Sequence, residues 1–216
     1  MSQALRRAVV ETAQRMNALG INQGRSGNVS VRWKDGLLIT PTGLDYEGMR
    51  AAQVVPMDLD GRHRGDLLPS SEWRFHADLY RARPEFGALV HAHPPQATTL
   101  ACLRRGIPAF HYMVASAGGA DIRCAPYATY GTQELSDLVL AAMQERRACL
   151  LANHGIIAAG EDLADALALA VEVETLAGQY LRCLQIGEPA ILPAAEMQRV
   201  LHKFESYGKQ PAAAKA

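Results

Sequence analysis

Residues 69–94, PSSEWRFHADLYRARPEFGALVHAHP, decide how the rest of the chain is read. Ala88-Leu89-Val90 is an apolar run that reads as a buried strand. Strand side chains alternate faces, so His91 and His93 project from the same side. Two imidazoles at that spacing reach one cation at about 2.1 Å, with the small Ala92 turned away between them. Upstream, Pro69-Ser70-Ser71-Glu72 reads as a helix start, with Ser70 or Ser71 as N-cap and a carboxylate in the first turn. That helix is expected to end near Arg83, ahead of Pro84.

The 216 residues are 49% hydrophobic, enough for one sizeable core, and no linker divides them. A single domain is expected over residues 1–207, with a mobile or disordered tail at 208–216. Lysine plus arginine equal aspartate plus glutamate at 22 each, and no polybasic run is present. That balance argues against a nucleic-acid or anionic-membrane surface and for a small molecule or another subunit as partner. Cys102, Cys124, Cys149 and Cys183 form no CxxC pair and read as reduced, buried thiols. The N-terminal residues lack the apolar core of a secretory signal. The longest apolar stretch, 163–184, is interrupted by Asp165, Glu172, Glu174 and Arg182, too many charges for hydrocarbon. A cytoplasmic protein is expected.

Residues 5–19 carry apolar side chains at helical spacing and stop at Gly20. Val29, Val31 and Trp33 then alternate, and Asp35-Gly36 turns the chain into Leu37-Leu38-Ile39, the pattern of a β-hairpin. A short strand is expected over 54–59 and a proline-started helix over 94–103. A helix follows over 133–147, with strands over 148–152 and 156–159. The longest helix is expected over 163–186, capped by Asp162 and closed by Gly187, and a last helix over 194–206. No GxGxxG loop or strict βαβ alternation marks a nucleotide-binding sheet, so a mixed α/β sandwich is the expected class.

The outer ends of the hairpin, Ser26-Gly27-Asn28 and Thr40-Pro41-Thr42-Gly43, would sit side by side and offer backbone N–H groups and hydroxyls to a common point. Either loop alone reads as ordinary turn residues. With Ser70 and Ser71 converging at a helix start, three segments supply donors that suit a phosphate. A lone histidine beside a strand end is more often a satisfied core residue. His91 and His93, together with His154 ahead of Gly155, instead form the three-ligand set of a catalytic zinc, and Glu72 could fill the fourth place or act as a base. His63, His76, His111 and His202 lie where packing or solvent explains them. The glutamate that follows HxH in cupin barrels is replaced here by a helix start at Pro94-Pro95. A divalent metal, a phosphate cradle and a carboxylate point to chemistry on a phosphorylated sugar, by retro-aldol cleavage, epimerisation or dehydration.

The strings NQGRSGNVSVR, LLITPTG, LPSSEWRFH, GALVHAH, IPAFHYM, AGG, CAPYATYGTQELS, NHGIIA and KFESYG recur in order and spacing. By them the chain resembles the class II aldolase/adducin-head family over nearly its whole length. The resemblance implies a three-layer α/β/α single domain with a mixed, largely antiparallel sheet. It implies one Zn2+ (or another divalent metal) per subunit on His91, His93 and His154, with Glu72 as a fourth ligand and acid/base. It places the substrate phosphate at Gly27, Asn28, Thr42, Gly43, Ser70 and Ser71. Tyr112, from a neighbouring subunit of a homotetramer, would protonate the aldehyde oxygen, and Tyr207 would be a second tyrosine on the C-terminal tail.

The implied reaction is reversible cleavage of a ketose 1-phosphate to dihydroxyacetone phosphate and an aldehyde, with L-fuculose 1-phosphate the first expectation. Arg25-Ser26 replaces a usually small uncharged pair, HAHPP departs from the family pattern after the first ligand, and Tyr130 stands where phenylalanine is expected. These departures keep 5-deoxyribulose 1-phosphate and 5-methylthioribulose 1-phosphate open as substrates. A 4-epimerase or dehydratase and an adducin-like scaffold are the remaining alternatives; the three histidines and Glu72 weigh against the scaffold.

Overall fold

Strand β4 (Ala88–Ala92) is buried along its whole length and lies in the middle of a seven-stranded sheet. The computed structural model describes residues 2–206. In chain order the elements are α1 (Ser2–Ala18), β1 (Asn28–Trp33), β2 (Gly36–Ile39), β3 (Val55–Asp58), α2 (Trp73–Ala82), β4, α3 (Pro95–Cys102), β5 (Cys124–Ala125), α4 (Gln133–Ala142), β6 (Ala148–Leu151), β7 (Gly155–Gly160), α5 (Leu163–Ile186) and α6 (Ala194–Phe204). The sheet runs β3-β2-β1-β4-β7-β6-β5. Every pairing is antiparallel except β5 with β6.

Alternation divides the strand residues between two cores. Val29, Val31, Val90 and Ile156 face the layer of α1, α3 and α5, whereas Leu89, Ile157 and Ala159 face α2 and α4 with Phe75, Leu79 and Val139. The result is the expected three-layer α/β/α arrangement. Gly160 abuts α5: a Cβ there would stand 2.3 Å from Ala166 N. Helix α5 follows its expected bounds, with the Asp162 side chain accepting from Asp165 N and Gly187 closing it. Among the described residues no helix is long and apolar enough to cross a membrane.

Several local expectations are corrected. The hairpin turns at Lys34-Asp35, with Lys34 at φ 53; Gly36 is already paired with Trp33, and a Cβ there would lie 2.1 Å from Met57 O of β3. Helix α4 stops at Ala142, because Glu145 turns left-handed (φ 57) to feed β6 and Arg83 binds the Met143 and Arg146 carbonyls. The cysteines are free, but only Cys149 is buried; Cys102 is exposed and the other two are intermediate. Neither Ser70 nor Ser71 caps α2. Glu72 occupies that position without a side-chain cap bond, and Ser70 Oγ accepts from Glu72 N at 3.3 Å.

Candidate active site

Three chain segments deliver the metal-type residues to one point. His91 is the last residue but one of the wholly buried β4, and His93 stands just beyond the strand. Strands β6 and β7 are joined by Ala152-Asn153-His154, with Asn153 left-handed at φ 54 and His154 N bonded to Leu151 O at 3.0 Å. Gly155 lets this tip close against β4, since a Cβ there would meet Ala92 O at 2.4 Å and His93 Cδ2 at 2.6 Å. Glu72, at the mouth of α2, leaves its own helix uncapped and turns its carboxylate into the cluster.

The ligand atoms of His91, His93 and His154 lie within 4.8 Å of one another. Glu72 Oε2 is 3.1 Å from His91 Nε2, Glu72 Oε1 is 3.1 Å from His154 Nε2, and the Nε2 atoms of His91 and His93 are 3.0 Å apart. His91 Nδ1 donates to Ile156 O at 2.7 Å, which fixes the tautomer and turns the Nε2 lone pair inward, as in metal-bound histidines.

Electrostatically the cluster is built for a positive centre. Burial would raise the Glu72 carboxyl, but the charge of His91 and the close approach of both the His91 and His154 imidazoles hold it far below the usual carboxylate range. Burial works against charge on His91 too, yet Glu72 and the Ile156 carbonyl raise its imidazolium above the ordinary value. Burial, then the charges of His91 and His154, push His93 down to about 3. Glu72 Oε1 is buried without a hydrogen-bond partner, an orphaned acceptor among imidazole nitrogens. The donor set fits a divalent cation of the zinc type.

The expected phosphate segments do converge. Thr40 N bonds Val29 O at 3.0 Å, Ser70 N bonds Thr40 O at 3.0 Å, and Thr42 N bonds Leu68 O at 3.1 Å, so the loops after β2 and before α2 run together beside the start of β1. Gly43, at φ 72, and Thr42 and Ser71 are solvent-exposed at this rim, and Arg25 Nη1 donates to Gly43 O at 2.9 Å. Gly27 and Ser70 are buried. Asn28 is buried as well, and its Nδ2 donates to Glu72 Oε2 at 3.0 Å, so it touches the carboxylate directly. Ser71, Glu72, His93 and His154 line a cleft of about 300 Å³ shared with the exposed rings of Tyr127 and Tyr130.

Tyr112 does not reach this cleft within one chain. It is 47% exposed on a 3-10 helix (Tyr112–Ala117) and lines a separate groove of about 630 Å³ with Phe110, Leu192 and Val200 of the α6 region. Tyr207 lies outside the described residues. His76, set aside on sequence as packing, is wholly buried and hydrogen-bonded to Asn28 and Ser30. The available signal was spacing: Glu72, His76 and Tyr80 recur at i, i+4 and i+8 on one face of α2, and Asn28, Ser30 and Arg32 alternate on β1.

Three imidazoles and a carboxylate beside the joined loops at residues 40–43 and 68–71, on a three-layer mixed sheet, are a donor set suited to a divalent metal. The chain belongs to the Class II Aldolase and Adducin N-terminal domain family, whose model matches residues 7–181. It is 59% identical over 205 residues to the 5-methylthioribulose-1-phosphate/5-deoxyribulose-1-phosphate aldolase of Rhodospirillum rubrum, covering 95% of this chain and 93% of that one. It is 50% identical over 205 residues to the L-fuculose phosphate aldolase of Escherichia coli K12, covering 94% and 95%. A solved L-fuculose 1-phosphate aldolase superposes with a TM-score of 0.90 at 41% identity, covering 93% of this chain and 95% of that one. The protein is therefore a class II aldolase, an aldehyde-lyase.

Proposed function

We propose that this aldolase reversibly cleaves 5-methylthioribulose 1-phosphate or 5-deoxyribulose 1-phosphate to dihydroxyacetone phosphate and the matching aldehyde. The observation that carries the cleavage chemistry is the convergence of Glu72, His91, His93 and His154 next to the loops at residues 40–43 and 70–71. The substrate assignment rests on the 59% identity to the Rhodospirillum enzyme, and it reverses the order expected from the sequence, which put fuculose phosphate first. The rings of Tyr127 and Tyr130 beside Glu72 suit an apolar C5 substituent.

Gly27, Asn28, Thr42, Gly43, Ser70 and Ser71 hold the C1 phosphate through neutral donors, with the backbone of the two loops turned toward it. His91, His93 and His154 hold one Zn2+, which supplies Lewis-acid stabilisation of charge on the C2 oxygen. Glu72, kept ionised by its histidine neighbours, moves the proton at C3, taking it in the condensation direction and returning it after the C3–C4 bond breaks. Tyr112 reaches the site from a neighbouring subunit of a homotetramer and protonates the aldehyde oxygen during condensation; its distance from Glu72's cleft in one chain supports that origin. Tyr207 acts from the C-terminal segment.

A second reading, cleavage of L-fuculose 1-phosphate, is favoured by the Escherichia coli relative and the solved structure. Comparing kcat/KM for the two kinds of sugar decides between them. The 5-methylthio or 5-deoxy substrate is expected to be preferred at least tenfold, and the inverse ratio would establish the fuculose reading.

A further inference from the structure

One buried titratable side chain is not used by the chemistry above. His76 sits at the centre of a hydrogen-bond chain linking α2 to β1: Tyr80 Oη to Ser30 Oγ at 2.8 Å, Ser30 Oγ to His76 Nδ1 at 2.7 Å, His76 Nε2 to Asn28 Oδ1 at 2.5 Å, and Asn28 Nδ2 to Glu72 Oε2 at 3.0 Å. His76 and Ser30 are 0% exposed, Tyr80 1% and Asn28 2%, so no water competes for these bonds.

The direction of every bond can be worked out from the Glu72 end. A carboxylate only accepts, so the Asn28 amide must present its NH2 to Glu72 and its oxygen to His76. That oxygen requires a proton on Nε2. Burial, and the charge of His91 beyond it, push the His76 imidazolium down to about 3, so the ring is neutral and Nδ1 is an acceptor. Ser30 then donates to Nδ1 and accepts from Tyr80. All four donors point towards Glu72.

We propose that His76 is a positioning residue: by donating from Nε2 to Asn28 Oδ1 it locks the amide so that only an N–H can face Glu72 Oε2, leaving Oε1 as the oxygen that serves cation and proton. The inference rests on Glu72 being the acid/base. A flipped Asn28 would set its carbonyl against the carboxylate and displace it. Glu72 Oε1 accepts no well-formed hydrogen bond and instead faces His154 Nε2 at 3.1 Å, as this division of labour requires. Asn28 thus serves Glu72 whatever it contributes to phosphate binding.

The test uses the zinc-loaded protein and compares His76→Gln, which keeps an N–H near the Nε2 position, with His76→Leu, which offers none, and with the milder Ser30→Ala. His76→Leu is expected to lose kcat about 10- to 100-fold at unchanged KM and zinc stoichiometry. His76→Gln should recover to within about fivefold of wild type, and Ser30→Ala should fall between. Equal kcat in the Gln and Leu variants, or losses that track folded or zinc-loaded fraction, would overturn the proposal. Should every variant fold poorly, long-range 1H–15N spectra of the wild-type imidazole decide: the Nε2–H tautomer is expected across pH 5 to 8, and an Nδ1–H tautomer or an imidazolium contradicts the chain. Glu72→Gln separates the two levels, because undiminished turnover there removes the acid/base role and the positioning role with it. An inactive Glu72→Gln beside a fully active His76→Leu defeats the positioning role alone.

Discussion

The backbone oxygen of His91 lies 2.4 Å from the point where a Cβ on Gly27 would stand. The first strand therefore enters the sheet at a distance only glycine allows, and that entry sets Asn28 in register with His91. Gly27→Ala must push the start of β1 away from β4. The expected cost is about 1–3 kcal/mol of stability, as for other overpacked sites, with a larger than proportional loss of turnover. Gly48→Ala is the control, since a Cβ there meets nothing within 4 Å. Denaturant unfolding and steady-state rates check both; a Gly27→Ala protein as active as the Gly48→Ala protein would disprove the register argument.

Glu72→Gln keeps the shape of the side chain and removes its base. Turnover should fall about 10²- to 10⁴-fold, the usual range for a general acid/base, with dihydroxyacetone phosphate still binding through the cradle. Binding is measured by calorimetry on the zinc-loaded variant. Near-normal rates would exclude Glu72 from proton transfer.

The histidine cluster should bind one equivalent of zinc. Because a ligand that binds only the folded state stabilises it by RT ln(1 + [L]/Kd), zinc at a hundredfold excess over Kd should add about 2.7 kcal/mol to the wild-type protein. In His91→Ala that gain should vanish along with activity. Stoichiometric zinc in His91→Ala or His154→Ala would break the assignment.

The buried neutral His76 also makes an acid-stability prediction. Its imidazolium is depressed from 6.5 to about 3 in the folded protein, so below pH 6.5 the unfolded chain binds a proton the folded one refuses. Stability contributed by this group is thus present above pH 6.5 and lost as pH falls towards 3, at about 1.4 kcal/mol per pH unit. His76→Gln should flatten the acid limb of the stability curve by that slope, read from urea midpoints between pH 6 and 4. An unchanged slope means His76 is protonated in the folded state.

The site was legible in the sequence where its residues are neighbours in the chain. HAH on an apolar strand, NHG at a hairpin tip and PSSE ahead of a helix each announce a local geometry, and the structure brings the three segments to one cluster. What the sequence hid depends on which strand lies against which helix. The polar spacing of Glu72, His76 and Tyr80 was visible, but its partner stripe on β1 is some 45 residues earlier, and only the packing of α2 across β1 brings them together. Gly36 misled because a glycine beside an aspartate is a turn signal, whereas here it admits the β3 backbone. Ser70 and Ser71 misled because Glu72 takes the N-cap position without capping and turns its carboxylate to His91 and His154.

The most direct test of the whole account is product analysis on the purified protein loaded with one zinc, using 5-methylthioribulose 1-phosphate. The account predicts dihydroxyacetone phosphate and the aldehyde in equal amounts, abolished by chelation and restored by zinc. An epimerised or dehydrated product with the carbon chain intact, or cleavage that survives complete removal of the metal, would contradict it.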